Sequence, residues 1–222
     1  MHINDVEELI LQLDSPAHLK DAKTGKYLIN NKLHADIYGF EDYSELNGMT
    51  IYDLDNIMHP YWGNNAQEMS NIEMYVRTSN RSVRKDSRVW LDINGHIWVH
   101  NMVKIPIHDA SRKIISILTI ASTLNSELSL NEKLNIYREY YKSSSQAIKK
   151  FLEYHNILQY FNSLPTMAEL NVLIAKKEFI NNKLIAQHLG LSIKTIETHI
   201  SHLYQKSTNL EQVVYLLRAT QR

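Results

Sequence analysis

Between Lys194 and Gln205 the side chains of Lys194, Glu197, Thr198, Ser201 and Gln205 share one side of a helical repeat. Ile196, Ile200 and Leu203 recur on the other side at the four-then-three spacing of a buried seam. An ammonium, a carboxylate, two hydroxyls and an amide on one exposed face can hydrogen-bond phosphates and base edges, and they are small enough for a major groove. Other chemistry is thin. The chain has no cysteine, which removes disulfides, thiolate metal sites, cysteine nucleophiles and a cysteinyl-flavin photocycle. No HExxH, P-loop, GxSxG or Gly-rich nucleotide run occurs, so no enzyme is expected. Eleven histidines invite a metal. However, His96 and His100 on one strand would lie about 13 Å apart, and His199 and His202, one helical turn apart, fall where DNA should be. The expected metal set is therefore none.

The polar face needs a helix held at a fixed angle, and the preceding residues are of the kinds that do this. Thr166-x-x-Glu169 is a capping box, followed by the apolar stripe Leu170, Leu173 and Ile174. Asn181 can cap a second helix with Ile185, Ala186 and Leu189 on its inner side. Gly190 suits a turn that a side chain resists, and Ser192 offers an oxygen to the first turn of the third helix. Leu210, Val213, Val214 and Leu217 stripe a fourth helix, with Leu216 off the stripe.

This segment resembles the C-terminal domain of LuxR-type, or NarL-type, regulators. The likeness is carried by Ile185-Ala186-Gln187-His188-Leu189-Gly190-Leu191-Ser192 and Lys194-Thr195-Ile196-Glu197-Thr198-His199. It implies a four-helix, all-α helix-turn-helix domain that binds double-stranded DNA. By resemblance, Glu197, Thr198 and Ser201 face bases. Lys183, Lys194, Thr195, His199 and Lys206 face phosphates, and Ser192 and His202 complete the DNA-binding set. Leu216 becomes a candidate dimer contact. Pro165, Met167-Ala168, Leu184 and Ile200 depart from the family pattern, and Ala168 and Ile200 stand where that pattern usually has basic residues. From Ser163 to Arg222 seven basic side chains face four acidic ones, net +3, so two copies on adjacent half-sites are expected to supply the affinity.

Charge is unevenly placed along a chain of formal net charge zero. Residues 1–125 carry 12 basic and 16 acidic groups, and residues 126–162 carry 5 and 4. An acidic front and a basic rear suit a sensor joined to a DNA reader. No apolar run reaches the ~18 residues of a membrane span, and Asp5, Glu7 and Glu8 are unlike the basic start of a signal peptide. A cytoplasmic protein without a membrane partner is expected.

In the front part, Asp5 can cap a helix bearing Val6, Leu9, Ile10 and Leu13. A hairpin of 18–22 and 27–30 then turns at Thr24-Gly25. Helices are expected over 32–38, 43–46 and 64–78, followed by long strands over 82–93, 96–107 and 113–122. This order, with Asp21-x-x-Thr-Gly-x-Tyr27, Asn30 and Gly39-Phe40, resembles a PAS sensor domain. The resemblance implies a five-stranded antiparallel sheet around a small cavity, and dimerisation. With Asn94-Gly95 as a two-residue turn, Val89, Leu91, Trp98, His100 and Met102 share the cavity face, and Arg88, Trp90, Asp92 and Asn101 the other. His100 would either orient a small-molecule ligand or sit in a filled core. Haem, with His59 or His34 as axial ligand, is not expected, nor is any other identified cofactor.

Between the two parts, Ser129-x-x-Glu132 opens a helix. Leu130, Leu134, Tyr137, Tyr141, Ser144, Ile148, Phe151, His155 and Leu158 form a coiled-coil seam, with 140–145 as its weak point. The resulting expectation is an α+β chain with a PAS-like sensor over 1–125, a helical linker over 126–162 and a LuxR-type reader over 163–222. It would act as a homodimeric, bacterial-type transcription regulator. The alternatives are a PAS-based protein-interaction adaptor and an acyl-homoserine-lactone-type receptor.

Overall fold

The computed structural model describes residues 3–219, with only the backbone of Ile3, Asn4, Asp5 and His59. The Asp5 cap and the His59 ligand considered above therefore lie outside the described side chains. The chain forms two compact units, Met1–Asn125 and Ser126–Arg222.

In the first unit, helix α1 (Ile3–Gln12) precedes strands β1 (Ala17–Asp21) and β2 (Tyr27–Asn30). Helix α2 (Lys32–Asp36), a 3₁₀ turn (Tyr43–Leu46), α3 (Ile51–Trp62) and α4 (Asn65–Ser79) follow, then β3 (Val83–Leu91), β4 (Ile97–His108) and β5 (Ile114–Thr123). The strands form one antiparallel sheet in the order β2-β1-β5-β4-β3. One face buries Tyr27, Leu54, Met58, Trp62, Met69 and Met102 among the helices. The other is covered by Val6 and Ile10 of α1, packed with Ala17, Leu19, Ile29 and Leu118. A strand buried on both faces loses its alternation, and in β1 His18 and Lys20 are buried as well as Ala17 and Leu19. Helix α3 had no counterpart in the expected elements. Pro60 lies in its last turn, where it removes one i→i−4 hydrogen bond next to the helix end, and Thr50 with Asp53 caps its start.

The β3–β4 register corrects an expectation. Asp92 N–H donates to the His96 carbonyl (2.8 Å), and the Asp92 carboxylate accepts from the N–H groups of Asn94 and His96. This leaves a three-residue loop ending at Gly95, whose φ of 73° is the left-handed residue such a loop requires. Arg88 therefore pairs with His100, Val89 with Val99, Trp90 with Trp98 and Leu91 with Ile97. One residue of register exchanges the two faces of β3, so Arg88 and Trp90 join Trp98, His100 and Met102, while Val89 and Leu91 turn away.

In the second unit, the long helix expected there is divided, within its expected weak point at 140–145, into α5 (Leu130–Tyr140) and α6 (Ser144–Tyr154). The break falls at Tyr141–Ser143, where serines prefer capping to helix interior. Leu130, Leu134, Tyr137, Ile148, Phe151 and His155 are buried, and α5 and α6 pack on each other and on α7 (Met167–Glu178). The seam expected to form a coiled coil is thus used within its own unit. Helices α8 (Asn182–Leu189), α9 (Ile193–Lys206) and α10 (Leu210–Ala219) complete the unit. Their shared core is Leu170, Leu173, Ile185, Ile196, Leu203, Val213 and Leu217.

Gly190 closes α8 in the left-handed region, φ 66° and ψ 30°, and a Cβ there would meet nothing within 4 Å. Gly190→Ala should therefore cost only the backbone term, about 1–2 kcal/mol. Urea denaturation followed by far-ultraviolet circular dichroism measures it, and an unchanged midpoint would show that the turn does not need a glycine.

Candidate nucleic-acid interface and buried cavity

The α8–Gly190–α9 corner is held by local hydrogen bonds. Asn181 Oδ1 accepts from Lys183 N–H at 2.7 Å, and Ser192 Oγ accepts from Thr195 N–H at 3.0 Å. Ser192 Oγ also lies 2.8 Å from Thr195 Oγ1, so both hydroxyls serve the helix start. Beyond that corner Lys194, Glu197, Thr198, Ser201 and Gln205 are exposed, as is Lys183 on α8. Thr198 Oγ1 donates to the Lys194 carbonyl at 3.0 Å, leaving its lone pairs facing out. The α9 face therefore offers an ammonium, a carboxylate, hydroxyls and an amide on one rigid cylinder. A corner of this geometry can set such a cylinder into a groove about 12 Å wide.

Two residues placed on this surface by resemblance are committed elsewhere. Lys206 Nζ pairs with Glu169 Oε2 at 2.6 Å, and His202 Nδ1 lies 3.2 Å from Glu169 Oε1. Glu169 is the capping-box residue of α7, and its Oε2 also accepts from Thr166 N–H at 2.7 Å. One carboxylate thus caps α7 and ties α9 to it, a network the separate helix motifs did not disclose. Burial opposes ionisation of this carboxyl, but the Lys206 and Thr166 hydrogen bonds outweigh it and lower its pKa. His199 is half-buried, with Nδ1 enclosed and unpartnered. In α10, Leu216 is partly buried and Tyr215 exposed.

The first unit encloses a cavity of about 40 Å³ between the sheet and helices α2–α4. His18, Lys20, Tyr27, His34, Glu73 and Arg88 line it, with Trp90, Trp98, His100, Met102 and Lys104. Val89 and Leu91, placed here by the two-residue turn, are not among its walls. At ~10–15 Å³ per water the space holds about three waters.

A buried charge cluster crosses one side of the cavity. Lys20 of β1 and Lys104 of β4 both donate to Glu73 Oε1 of α4, at 2.9 and 2.8 Å, and Lys104 also donates to Thr119 Oγ1 at 3.1 Å. Burial would raise the Glu73 carboxyl, but Lys104 and Lys20 outweigh it and hold it at about 2. Burial lowers Lys20 to about 8 despite Glu73. None of these three residues stood out in sequence. They lie in three separate elements, and no local spacing connects them.

Opposite this cluster the histidines are neutral. Burial first, then Lys20 and Lys104, brings His34 to about 3, and burial with Arg88 brings His100 to about 3. Burial and His34 push His18 well below its ordinary value. The His18 and His34 rings are 4.2 Å apart, and His100 stacks on Trp98 at 3.7 Å. Both ring nitrogens of His18, Nδ1 of His34 and His100, and Nε1 of Trp90 are buried without a hydrogen-bond partner.

Residues 168–215 match the family described as bacterial regulatory proteins, luxR family. Among solved structures the chain is similar to a Vibrio cholera VqmA–ligand–DNA complex at 20% identity, covering 99% of this chain and 87% of that one, with a TM-score of 0.48. It is also similar to a Vibrio cholerae VqmA dimer at 18% identity, covering 100% and 89%, with a TM-score of 0.46. The PAS domain of Bordetella pertussis BvgS matches at 20% identity over 63% of this chain and 98% of its own, with a TM-score of 0.48. No curated protein matches in sequence. Among the described residues no helix is long and apolar enough to cross a membrane. Residues 168–215 therefore form a helix-turn-helix segment of the luxR family of bacterial regulatory proteins, and the unit before it is built on a five-stranded antiparallel sheet with helices.

Proposed function

We propose that this chain is a sequence-specific, dimeric transcription regulator, with a sensor over 1–125, a helical linker over 126–162 and a DNA reader over 163–222. The observation that carries the proposal is the exposed polar row Lys194, Glu197, Thr198, Ser201 and Gln205 on α9, set at a glycine corner with Ile196 and Leu203 in the core. Glu197, Thr198 and Ser201 address bases, while Lys183, Lys194, Thr195 and His199 address phosphates. Lys206 serves chiefly to fix α9, and the exposed His202 lies beside the same Glu169 carboxylate. A reader of net charge +3 needs two copies for useful affinity, and Tyr215 with Leu216 on α10 is the surface we assign to their pairing.

The sensor cavity supports a regulatory ligand. Unpartnered buried nitrogens on three histidines and Trp90 are acceptors and donors that a small polar molecule could satisfy. The polar lining, with His18, His34, His100 and Lys104, suits a compact ligand with hydrogen-bonding groups. Such a ligand shifts DNA binding only by preferring one arrangement of the protein over another.

Selection from a pool of random duplexes by the full chain tests this reading. The expected outcome is enrichment of one sequence with two half-sites about 34 Å apart. Recovery of an unenriched pool, with the protein instead held in a stable complex with another regulator, would establish the adaptor alternative.

A further inference from the structure

We propose that Glu169, His199 and His202 form a binding site for one divalent transition-metal ion of the zinc class, joining α7 to the recognition helix α9. The inference goes beyond the DNA-reading assignment and does not depend on it. Glu169 offers a carboxylate oxygen and each histidine a ring nitrogen, and these three atoms lie within 4.8 Å of one another. Ligands at ~2.1 Å around a tetrahedral ion sit about 3.4 Å apart, so small side-chain rotations close the set.

The surroundings favour an ion over a chance cluster. His199 and His202 are one turn apart on α9 and present their rings to the same side, the spacing that lets one helix supply two ligands. Glu169 is held from behind, because Oε2 is occupied by Lys206 Nζ and Thr166 N–H. Its Oε1 faces His202. Carboxylates oriented by such outer bonds make better metal ligands. His199 Nδ1 is enclosed without a partner, a lone pair or N–H that the protein alone leaves unsatisfied. Two imidazoles and one carboxylate suit zinc, with a fourth position left to water because His202 is half-exposed. A bound ion would cross-link the capping box of α7 to the middle of α9 and compete with the phosphate contact proposed for His199, leaving the other reader residues unaffected.

Cobalt(II) titration of the full chain, read by its visible d–d absorption, tests the site. The expected result is one tetrahedral Co²⁺ per chain, displaced by Zn²⁺, with affinity at least about tenfold lower in His202→Ala and in His199→Ala and unchanged in His108→Ala. His202 is exposed enough that its removal leaves the fold intact, and a Zn²⁺-dependent rise in melting temperature should be lost in the same two variants. No tetrahedral spectrum, or one of equal strength in His202→Ala, would overturn the proposal. Neither result requires DNA, so failure here leaves the reader assignment standing.

Discussion

Glu73→Gln should destabilise the sensor domain by about 3–5 kcal/mol, because it removes the carboxylate shared by two buried ammonium groups. Lys20 and Lys104 are each about 2% exposed and both rest on Glu73 Oε1. A neutral amide cannot offset their charge, and burial then drives them to deprotonate or draw in water. All three tryptophans, Trp62, Trp90 and Trp98, lie in this unit, so urea denaturation read by tryptophan fluorescence reports on it selectively. The triple replacement Lys20→Met, Glu73→Leu, Lys104→Met should restore stability to near the wild type or above it. A single-variant loss under about 1 kcal/mol would mean that the cluster is solvated and not enclosed.

The same unit should fail steeply in mild acid. His34 and His100 fall to about 3, and His18 also falls well below its ordinary value, all chiefly through burial. Their unfolded counterparts titrate near 6.5, so below that pH the unfolded state binds more protons than the folded one. Stability is therefore fully present above about pH 6.5 and is lost as pH falls toward 3. Each fully buried histidine contributes a slope of up to about 1.4 kcal/mol per pH unit, and three together can reach about 4. Glu73, held at about 2, adds a further loss below about pH 4.5. Tryptophan-monitored urea midpoints between pH 7 and 4.5 measure the slope, and His100→Gln should lower it by about one histidine. A slope near zero across that interval would show that these rings are hydrated.

The reader was more legible in sequence than the sensor cavity, and the reason is range. Thr166, Asn181, Gly190 and Ser192 each act within four residues of their own positions, so type and spacing identify them directly. The cavity depends on residues far apart in the chain: Lys20 meets Glu73 across 53 positions and Lys104 across 31. Its wall was also sensitive to one local detail. The Asp92 carboxylate binds two backbone N–H groups and lengthens the Asn94-Gly95 turn by one residue, exchanging Val89 and Leu91 for Arg88 and Trp90. In residues 126–162 a heptad-like seam is equally compatible with pairing between chains and with folding back. The helix break at Tyr141–Ser143 and the burial of Leu134, Tyr137, Ile148 and Phe151 within the second unit fit folding back. The Glu169 network shows the same limit, since a capping box predicts the cap and says nothing of the helix that packs beside it.

The most direct test of the account is the salt dependence of binding to a selected duplex by wild type, Lys194→Ala and Glu197→Ala. With α9 in the groove, log affinity falls linearly with log salt, and Lys194→Ala weakens binding to all sequences and reduces the slope by about 1. Glu197→Ala keeps the slope and relaxes preference at one base pair by about 1–3 kcal/mol. Salt-insensitive binding, or two variants that behave as wild type, would contradict it.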